Sequence, residues 1–309
     1  MIFLSFDKAG AEWVVVAYLS GDARMIEVVE TEKNPHIITG HLISGIDEHI
    51  IEHENQVIGK TTDPSLIREL RKKHFPFMLE GENFIPRSMS IYQCGKKSNH
   101  GLNYDEGYRQ FALINEMEEV EAKTIIKAYR TVAYPNIPVW HESIRRELKD
   151  GRILTNCFGR KVRLLGPLGD DLYKQGYAFK PQSTVVDMVN QGMIKAFGDE
   201  SLEFYYADLL MQVHDELIYQ YPASRPDLTG PKMWESMSIF AVKLAYDYMT
   251  PLCSYNGRDF KIKTDLKMGL NLGEDDMIKV TLSQDIKEME NNLRKAWEKL
   301  HDKAKEATR

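Results

Sequence analysis

The sequence predicts an α+β fold. Its 309 residues mix helical and strand-like segments without the regular βαβ alternation of a doubly wound sheet. A composition of 43% hydrophobic and 28% charged residues is ordinary for a globular protein. No apolar run approaches the roughly 20 residues that a membrane span needs, so no membrane association is expected. The net charge of −6 argues mildly against a self-sufficient nucleic-acid binder, although charge can be sorted locally.

The cysteines and the N-terminus indicate a cytoplasmic location. Cys94, Cys157 and Cys253 are far apart and form no CxxC pair, which favours reduced thiols over a disulfide framework or a zinc site. The first residues, MIFLSFDKAG, have neither a basic leader nor a long apolar core, so a signal peptide is not expected.

The N-terminal part is predicted to begin with a strand and to continue with helices. IFLSF, residues 2–6, is typical of a strand and is followed by Asp7. Residues 9–22 fit either a buried strand or a helix, and residues 30–80 have mostly helical spacing.

The middle of the chain is predicted to contain three helices, a hairpin and a further helix. Pro86 is a suitable first helical residue, so a helix is expected from there. Residues 108–133 and 139–151 have helical spacing. Residues 153–166 predict a hairpin, and residues 182–197 predict an amphipathic helix.

The segment LLMQVHDELIYQY, residues 209–221, predicts a second hairpin. Two apolar arms flank His214, Asp215 and Glu216, which places these residues at or near a tight turn. The segment fits a plain hairpin turn, in which Asp is common, or a metal-binding tip. The residues of this segment leave both interpretations open.

The C-terminal part is predicted to contain a helix over 234–250, a strand over 260–269 and a charged helix over 283–309. We expect the charged helix to pack on its own domain or on a partner, a solvated tail being the alternative. Its apolar stripe at three- and four-residue spacing consists of Ile286, Met289, Leu293, Trp297 and Leu300.

Two aspartates, Asp7 and Asp215, stand beside apolar, strand-like arms that are far apart in the chain. If both strands belong to one sheet, the two carboxylates meet at one edge. Paired carboxylates with open positions suit Mg²⁺, and two such ions stabilise the attacking and leaving oxygens of phosphoryl transfer. Because the chain has 46 acidic residues, most of which solvate the surface, the pair alone is weak support for a metal site.

The segment KKSNHGLNY places three chemically distinct side chains at four-residue spacing. Lys96, His100 and Tyr104 fall on one face of a helix, where they can meet a phosphate, a sugar and a base. Taken alone, the segment fits an amphipathic surface helix better.

Taken together and in order, these segments resemble motifs A, B and C of the family A DNA polymerases, the bacterial polymerase I and phage replicative type. Asp7 with Glu12 and LSGD at 19–22 resembles motif A. Lys96 to Tyr104 resembles motif B, and QVHDEL at 212–217 resembles motif C. The segments PQSTVVD, PL and DLKMGLNLGE also resemble that family, and the resemblance covers most of residues 1–280.

The resemblance implies a right-hand fold, in which an antiparallel palm sheet is joined to helical fingers. The palm is expected at 1–28 and 166–280, the fingers at 29–165, and the charged helix at 281–309. The thumb and the exonuclease are expected to be absent, because the family has them before motif A.

The resemblance also implies the catalytic groups. Asp7 and Asp215 would bind two Mg²⁺ ions, for which Mn²⁺ can substitute, with the backbone carbonyl of Lys8 as a further ligand. Glu216 would support the site near the primer end. Lys96 would meet the triphosphate and protonate the leaving group.

Further residues are implied to bind the nucleotide or the DNA. Glu12 matches the family's steric gate against a ribose 2′-hydroxyl, and a carboxylate at the edge of the core is the alternative. Tyr104 would stack near the template or the nascent base pair, and Lys97 is a possible helper. The implied DNA contacts come from Gln182, His214 and Lys174. The alternative interpretation of Gln182 is an exposed helix residue without a role, and that of His214 is a residue that stabilises the turn.

Several positions depart from the family pattern. Tyr92 stands where the family has an Arg, and Arg87 is a poor substitute because it lies on the opposite helix face. His100 replaces an aromatic residue, which puts sugar discrimination and nucleotide affinity in doubt, and Asp105 replaces a glycine. Without the palm strands that precede motif A, the early strand is expected to lack a neighbour and to leave an exposed edge.

The predicted function is template-directed DNA synthesis from dNTPs on primer–template DNA. Our hypothesis is that this is the C-terminal piece of a split polymerase, with a separate chain that supplies the thumb and possibly the exonuclease; a gene fragment is the competing explanation. The alternatives are a non-catalytic remnant that binds DNA or a partner and, last, a Mg²⁺-dependent nuclease. If a phage encodes the chain, its location is the host cytoplasm.

Overall fold

The structure is a computed structural model that describes residues 1–81, 83–222, 231–273 and 276–307. The described chain forms two units, residues 1–11 with 182–309 and residues 12–181. The boundaries of these units differ from the predicted palm segments, 1–28 and 166–280, because residues 12–28 and 166–181 belong to the helical unit. The C-terminal helix belongs to the same unit as the sheet.

Strands occur at the start of the chain, in one short central hairpin and in the part from residue 208 to residue 280. They are β1 Ile2–Lys8, β2 Ile153–Thr155, β3 Lys161–Arg163, β4 Asp208–Val213, β5 Glu216–Tyr221, β6 Cys253–Tyr255, β7 Arg258–Phe260, β8 Thr264–Gly269 and β9 Ile278–Val280.

Helices make up most of the remaining described chain. The α-helices are α1 Ala11–Ser20, α2 Ala23–Glu30, α3 Pro35–Ser44, α4 Glu48–Ile58, α5 Pro64–His74, α6 Ile91–Gly101, α7 Tyr108–Ile114, α8 Glu119–Ala128, α9 Asn136–Asp150, α10 Asp170–Phe197, α11 Leu202–Tyr205, α12 Pro231–Val242 and α13 Ile286–Ala307. Short 3₁₀ turns occur at Pro76–Leu79 and Leu102–Tyr104, and π turns at Tyr129–Ala133 and Lys243–Tyr248.

The first unit is built on an antiparallel sheet. Within the described residues, five strands lie in the order β4–β5–β1–β8–β9, and every neighbouring pair is antiparallel. One face of the sheet joins α12 and α13 in an apolar core, so the sheet is packed on one side as antiparallel sheets commonly are. The buried residues on this face of the central strand are Ile2, Leu4 and Phe6.

The early strand has a neighbour on each side, so the expectation of an exposed β1 edge is wrong. Strand β1 pairs with β5 and with β8, and the edge lies instead at β4. The apolar side chains of β4 are about two-fifths exposed; they are Leu209, Leu210, Met211 and Val213.

The C-terminal helix packs on its own unit, which is the first of the three predicted arrangements. Met289, Leu293 and Leu300 are buried in the same core as α12. The rings of Trp234 and Trp297 meet edge to face at 6.0 Å between centroids. None of the helices in the described ranges is both long enough and apolar enough to cross a lipid bilayer.

The second unit is helical apart from its short hairpin, as residues 30–80 and 153–166 predict. Residues 11–20, which fit either a strand or a helix, form α1. The helix expected from Pro86 begins only at Ile91, because the Ser90 hydroxyl accepts the Gln93 amide hydrogen and caps the helix there. The helical segment predicted over 108–133 is interrupted between α7 and α8, where Glu116 has a φ of 52°.

Two glycines let α3 and α6 approach closely. A Cβ at Gly95 would lie 2.2 Å from the His36 carbonyl oxygen and 2.9 Å from the Gly40 nitrogen. A Cβ at Gly40 would lie 2.9 Å from the Ile91 side chain. Backbone therefore packs on backbone here, and this contact fixes the position of the helix that carries Lys96.

Gly95→Ala is expected to lower the free energy of unfolding by about 1–3 kcal/mol, because an added methyl group overpacks this contact. Urea denaturation of the purified protein measures the effect. Gly151→Ala is the matched control, since nothing lies within 4 Å of a Cβ at that position. Equal stability of the two variants would contradict the close packing of α3 on α6.

Candidate active site

The sheet places the predicted carboxylates side by side. Asp7 is opposite Glu216 on β5 and opposite Asp265 on β8, and residues directly opposite each other share one face of a sheet. Asp215 occupies the turn between β4 and β5, where Val213 pairs with Glu216. Motif reasoning found three of these acids and missed Asp265.

The charge of the group is poorly compensated. The pKa of Asp7 is raised to about 6, mainly by burial and then by the negative charges of Asp215 and Glu216, while Lys267 and a backbone hydrogen bond oppose the rise. Burial also raises the pKa of Asp215. Carboxylates that are crowded and partly buried in this way favour a bound cation.

The side chain of Glu216 is held by the central strand. The Ser5 hydroxyl donates a hydrogen bond to Glu216 Oε1, and Ser5 is fully buried. This contact orients the Glu216 carboxylate beside Asp7 on the same face of the sheet.

The side chain of Lys8 points to the face of the sheet opposite that of Asp7. Its Nζ donates to the carbonyl of Ile262 and to the hydroxyl of Thr264, both at 2.9 Å, and to the Thr250 hydroxyl at 3.2 Å. Burial lowers the pKa of the Lys8 amino group to about 7.

The hairpin turn at His214 and Asp215 is confirmed. His214 has a φ of 52°, in the left-handed region that non-glycine residues seldom adopt, and its side chain is exposed. Gln182, at the start of the first unit's part of α10, is also exposed. Both residues present polar side chains to solvent.

A second group of predicted residues lies in the helical unit. Tyr104 donates a hydrogen bond from its hydroxyl to Glu12 Oε2, and burial together with Glu12 raises the pKa of Tyr104. Lys96 and His100 are exposed on α6, whereas Tyr104 follows in a 3₁₀ turn. Glu12 is half-buried and bonded to Tyr104, which gives the carboxylate a fixed position.

His36 joins this group, although no motif pointed to it. Its ring lies 5.6 Å from the Tyr92 ring and 6.0 Å from the His100 ring, between centroids. Burial, His100 and Lys96 lower the pKa of His36 to about 4, so the ring is neutral at pH 7. Burial and Lys96 also lower the pKa of His100.

Tyr92, the residue that replaces an expected Arg, packs edge-on against His36. Lys97 follows Lys96 on α6 and is half-buried. The spacing of residues in the sequence does not link His36 to α6, because their contact depends on the close packing of α3 on α6.

Lys174 lies at a cavity of about 470 Å³ in the helical unit, which is lined by charged side chains of both signs. Burial raises the pKa of Glu106, and the charge of Lys174 opposes this rise. The cavity is also lined by Lys123, Lys127 and Arg130, and Lys123 Nζ lies 4.2 Å from the centre of the Tyr108 ring.

The metal-binding capacity of the described residues is limited to paired carboxylates. In the ranges that the structure describes, no three His, Cys, Asp and Glu side chains are arranged to hold an ion. Asp7 and Asp215 offer hard oxygen donors, and a site that relies on so few protein ligands suits Mg²⁺, which retains water and phosphate ligands.

The chain is similar to polymerases in sequence and in structure. The family model described as DNA polymerase family A matches residues 91–273. The thermostable DNA polymerase I of Thermus filiformis is 23% identical over 235 residues, which cover 73% of this chain and 23% of that protein. The corresponding enzyme of Thermus thermophilus is 22% identical over 255 residues, covering 81% of this chain and 25% of that protein. The chain therefore spans about a quarter of the length of these relatives.

A solved structure has a similar fold. The POL domain of Pol1 from M. smegmatis, in complex with DNA primer-template and dNTP, has a TM-score of 0.59 and is 15% identical. The similarity covers 87% of this chain and 39% of that one. At this identity it supports the predicted palm sheet with helical fingers as a fold.

Proposed function

This chain belongs to DNA polymerase family A, whose model matches more than half of its residues, and we propose that it catalyses DNA-directed DNA synthesis. The reaction is the addition of dNTPs to the 3′-hydroxyl of a primer by two-Mg²⁺ nucleotidyl transfer, in DNA replication. Primer–template DNA and dNTPs are the proposed ligands, and the proposed location is cytoplasmic.

The observation that carries the proposal is the crowding of Asp7 and Asp215, with Glu216 beside them, at one end of the sheet. The two aspartates are far apart in the sequence, yet burial and then the charge of Asp215 raise the pKa of Asp7. Two crowded carboxylates beside Glu216 destabilise one another unless a cation is bound, which is the electrostatic condition of a metal-dependent phosphoryl-transfer site.

Asp7 and Asp215 would hold the metal ions, together with the backbone carbonyl of Lys8. The ions would supply Lewis-acid activation of the primer hydroxyl and charge neutralisation at the triphosphate; Mn²⁺ can replace Mg²⁺ in both respects. Glu216, oriented by Ser5, would keep the rim of the site anionic on the side where the primer ends.

Residues of the helical unit would bind the nucleotide. Lys96 would meet the triphosphate and give a proton to the leaving pyrophosphate, with Lys97 as a possible helper. His100 adds a second nitrogen donor near Lys96 on the same helix. Tyr104 would stack beside the nascent base pair, while its hydroxyl holds Glu12.

Three residues would contact the DNA. Gln182 and His214 are exposed polar side chains of the sheet-bearing unit. Lys174 lines a cavity that contains both basic and acidic side chains. Phosphate contacts from such groups position a duplex without reading its sequence.

Glu12→Ala is expected to increase ribonucleotide incorporation relative to deoxyribonucleotide incorporation by about 10- to 100-fold, because the variant removes the carboxylate that would clash with a 2′-hydroxyl. Primer extension with rNTPs and dNTPs, each over a concentration series, gives the ratio of kcat/KM values. Tyr104→Phe is the matched control, since it removes the hydrogen bond to Glu12 but keeps the carboxylate. A larger loss of discrimination in Tyr104→Phe than in Glu12→Ala would reject the gate.

One experiment distinguishes the hypothesis that a separate chain completes the polymerase from the alternative that the chain is a non-catalytic binding module. The experiment is extension of a labelled primer–template with Mg²⁺ and four dNTPs, with and without a thumb-bearing fragment of a related polymerase. Extension only when the fragment is added supports a partner chain. DNA binding without extension under both conditions supports a binding module, and strand shortening instead of growth supports a nuclease.

A further inference from the structure

Asp105 ends the 3₁₀ turn that follows α6, in a conformation that usually belongs to glycine. Its φ is 60°, in the left-handed region, and the family pattern has a glycine at this position. The turn is closed by backbone hydrogen bonds, from the Asp105 amide to the Leu102 carbonyl at 3.3 Å and from the Glu106 amide to the Gly101 carbonyl at 3.2 Å. Because neither bond needs a carboxylate, what the aspartate adds lies in the contacts of its side chain.

The Asp105 carboxylate joins two arginines from other parts of the helical unit. Arg130 Nη2, in a π turn, lies 2.5 Å from Oδ1, and Arg145 Nη2, on α9, lies 3.1 Å from Oδ2. The side chains of Asp105, Arg130 and Arg145 are 22%, 29% and 34% exposed, so water and salt screen these pairs only in part. Each oxygen of the carboxylate thus has its own cation.

Arg145 also belongs to a chain of contacts that leads back to Asn103. Its Nε donates to the Tyr177 hydroxyl at 2.5 Å, and the Tyr177 ring stacks on the His141 ring with 4.1 Å between centroids. His141 Nε2 donates to the Asn103 carbonyl oxygen at 2.7 Å, since a carbonyl oxygen only accepts. These contacts form what we call the polar ring, which consists of Asp105, Arg145, Tyr177, His141 and Asn103.

Tyr104 lies between the two ends of the polar ring. Its backbone is held at Asn103 on one side and at Asp105 on the other, while its own hydroxyl donates to Glu12 Oε2. Asn103 is held a second time, because the Tyr129 hydroxyl donates to Asn103 Oδ1 at 2.7 Å. With both flanking residues fixed, the direction of the Tyr104 side chain is set before a ligand binds, and so is the carboxylate to which it is bonded.

We propose that Asp105 is a positioning residue for sugar selection, which acts through the polar ring on Tyr104 and through Tyr104 on Glu12. The inference rests on the proposed polymerase function and on the proposed role of Glu12 as the steric gate. A clash with a 2′-hydroxyl discriminates only when the carboxylate is unable to move aside. Release of Tyr104 would let Glu12 turn away, so discrimination would fall although the gate residue itself is unchanged.

The first test is ¹⁹F NMR of the full chain with 3-fluorotyrosine at position 104, which needs no polymerase activity. In the wild type, the resonance should be displaced from that of free 3-fluorotyrosine, and Glu12→Gln should shift it. In Asp105→Gly, most of the displacement should be lost, and Glu12→Gln should shift the resonance no further. An unchanged resonance in Asp105→Gly would overturn the proposal.

The second test is the ratio of kcat/KM for dNTPs to kcat/KM for rNTPs, measured by primer extension. Asp105→Gly is expected to lower this ratio by about 2- to 10-fold, the range that loss of one hydrogen bond produces. Asp105→Asn should recover part of the ratio, because asparagine tolerates the left-handed conformation and can still accept a hydrogen bond. Glu142→Gln is the matched control, since Glu142 lies 3.7 Å from Arg145 but outside the polar ring.

A double variant distinguishes positioning from general damage. In a Tyr104→Phe background, Asp105→Gly should lower the ratio no further, because the hydrogen bond that the polar ring maintains is already absent. Equal losses in the two backgrounds would overturn the proposal, and so would an equal loss in Glu142→Gln. Thermal unfolding identifies a variant that has lost its fold, and Asp105→Asn then replaces Asp105→Gly in both tests.

The two tests separate the inference from the function on which it rests. If the wild-type chain extends no primer, with or without a thumb-bearing fragment, the proposed function fails and the role in sugar selection fails with it. The NMR result then still decides whether Asp105 positions Tyr104. Normal extension with an unchanged resonance and an unchanged ratio in Asp105→Gly overturns the inference alone.

Discussion

Asp215→Asn is expected to reduce primer extension by about 10³-fold or more, the scale on which loss of a main electrostatic stabiliser slows an enzyme. Asparagine has nearly the same shape as aspartate but no negative charge, so the change removes a proposed metal ligand without emptying the turn. The measurement is single-turnover extension of a labelled primer, with Mg²⁺ and dNTPs in excess. It is made under the conditions in which the wild-type chain extends the primer.

The same substitution should not destabilise the fold. The negative charge of Asp215 raises the pKa of Asp7, so its removal lessens a repulsion and should leave the free energy of unfolding unchanged or slightly higher at pH 7. Asp208→Asn, at the opposite end of the same hairpin and exposed, is the control and should extend primers normally. Undiminished synthesis by Asp215→Asn would eliminate the paired-carboxylate site.

Glu54→Ala is expected to lower the free energy of unfolding by about 3–5 kcal/mol, because it leaves a buried guanidinium without its counterion. Arg71 Nη2 lies 2.6 Å from Glu54 Oε1, and the side chains of the two residues are 3% and 0% exposed. Burial raises the pKa of Glu54, while Arg71 and the Ile91 amide oppose the rise. Urea denaturation measures the loss, and Glu119→Ala in an exposed ion pair with Lys123 is the control, expected to cost less than about 1 kcal/mol.

The buried pair also anchors the helix that carries Lys96. Glu54 Oε2 accepts a hydrogen bond from the Ile91 amide at the start of α6, and Arg71 donates to the Met89 carbonyl at 2.9 Å. In the double variant Glu54→Leu with Arg71→Met, no charge is left buried and alone. Its cost should therefore be smaller than the sum of the two single costs. Strict additivity would mean that the two side chains act independently.

The parts of the molecule that depend on local pattern could be predicted from the sequence. The hairpin around Asp215 has apolar arms and a turn within 13 residues, and the structure confirms it. The pairing of Glu12 with Tyr104 joins residues that the family motifs already single out. The mixed fold with one antiparallel sheet follows from the same local signals and agrees with the similarity to a polymerase domain.

The parts that depend on register and on close packing could not be predicted. Asp265 and Lys267 face the site only because β8 pairs with β1 in one alignment, and nothing in DLKMG specifies that alignment. His36 lies beside α6 because Gly40 and Gly95 let the two helices approach closely. In the sequence, both glycines stand in ordinary helical segments and give no sign of this contact. Pro86 predicts too early a start for α6, because proline is an acceptable first residue of a helix. The Ser90 cap sets the boundary, and the helix begins at Ile91.

The buried amino group of Lys8 makes the alignment of the central strand selective. Because successive residues of a strand point to opposite faces, a shift of β1 by one residue would turn Asp7 into the apolar core and bring Lys8 out among the carboxylates. The three oxygens that hold Lys8 Nζ would then lose their donor, and a carboxylate would be buried without one. The misaligned strand would therefore have a higher free energy for two reasons. Burial of the Lys8 side chain on one face of the sheet thus favours the alignment that places Asp7 on the other face.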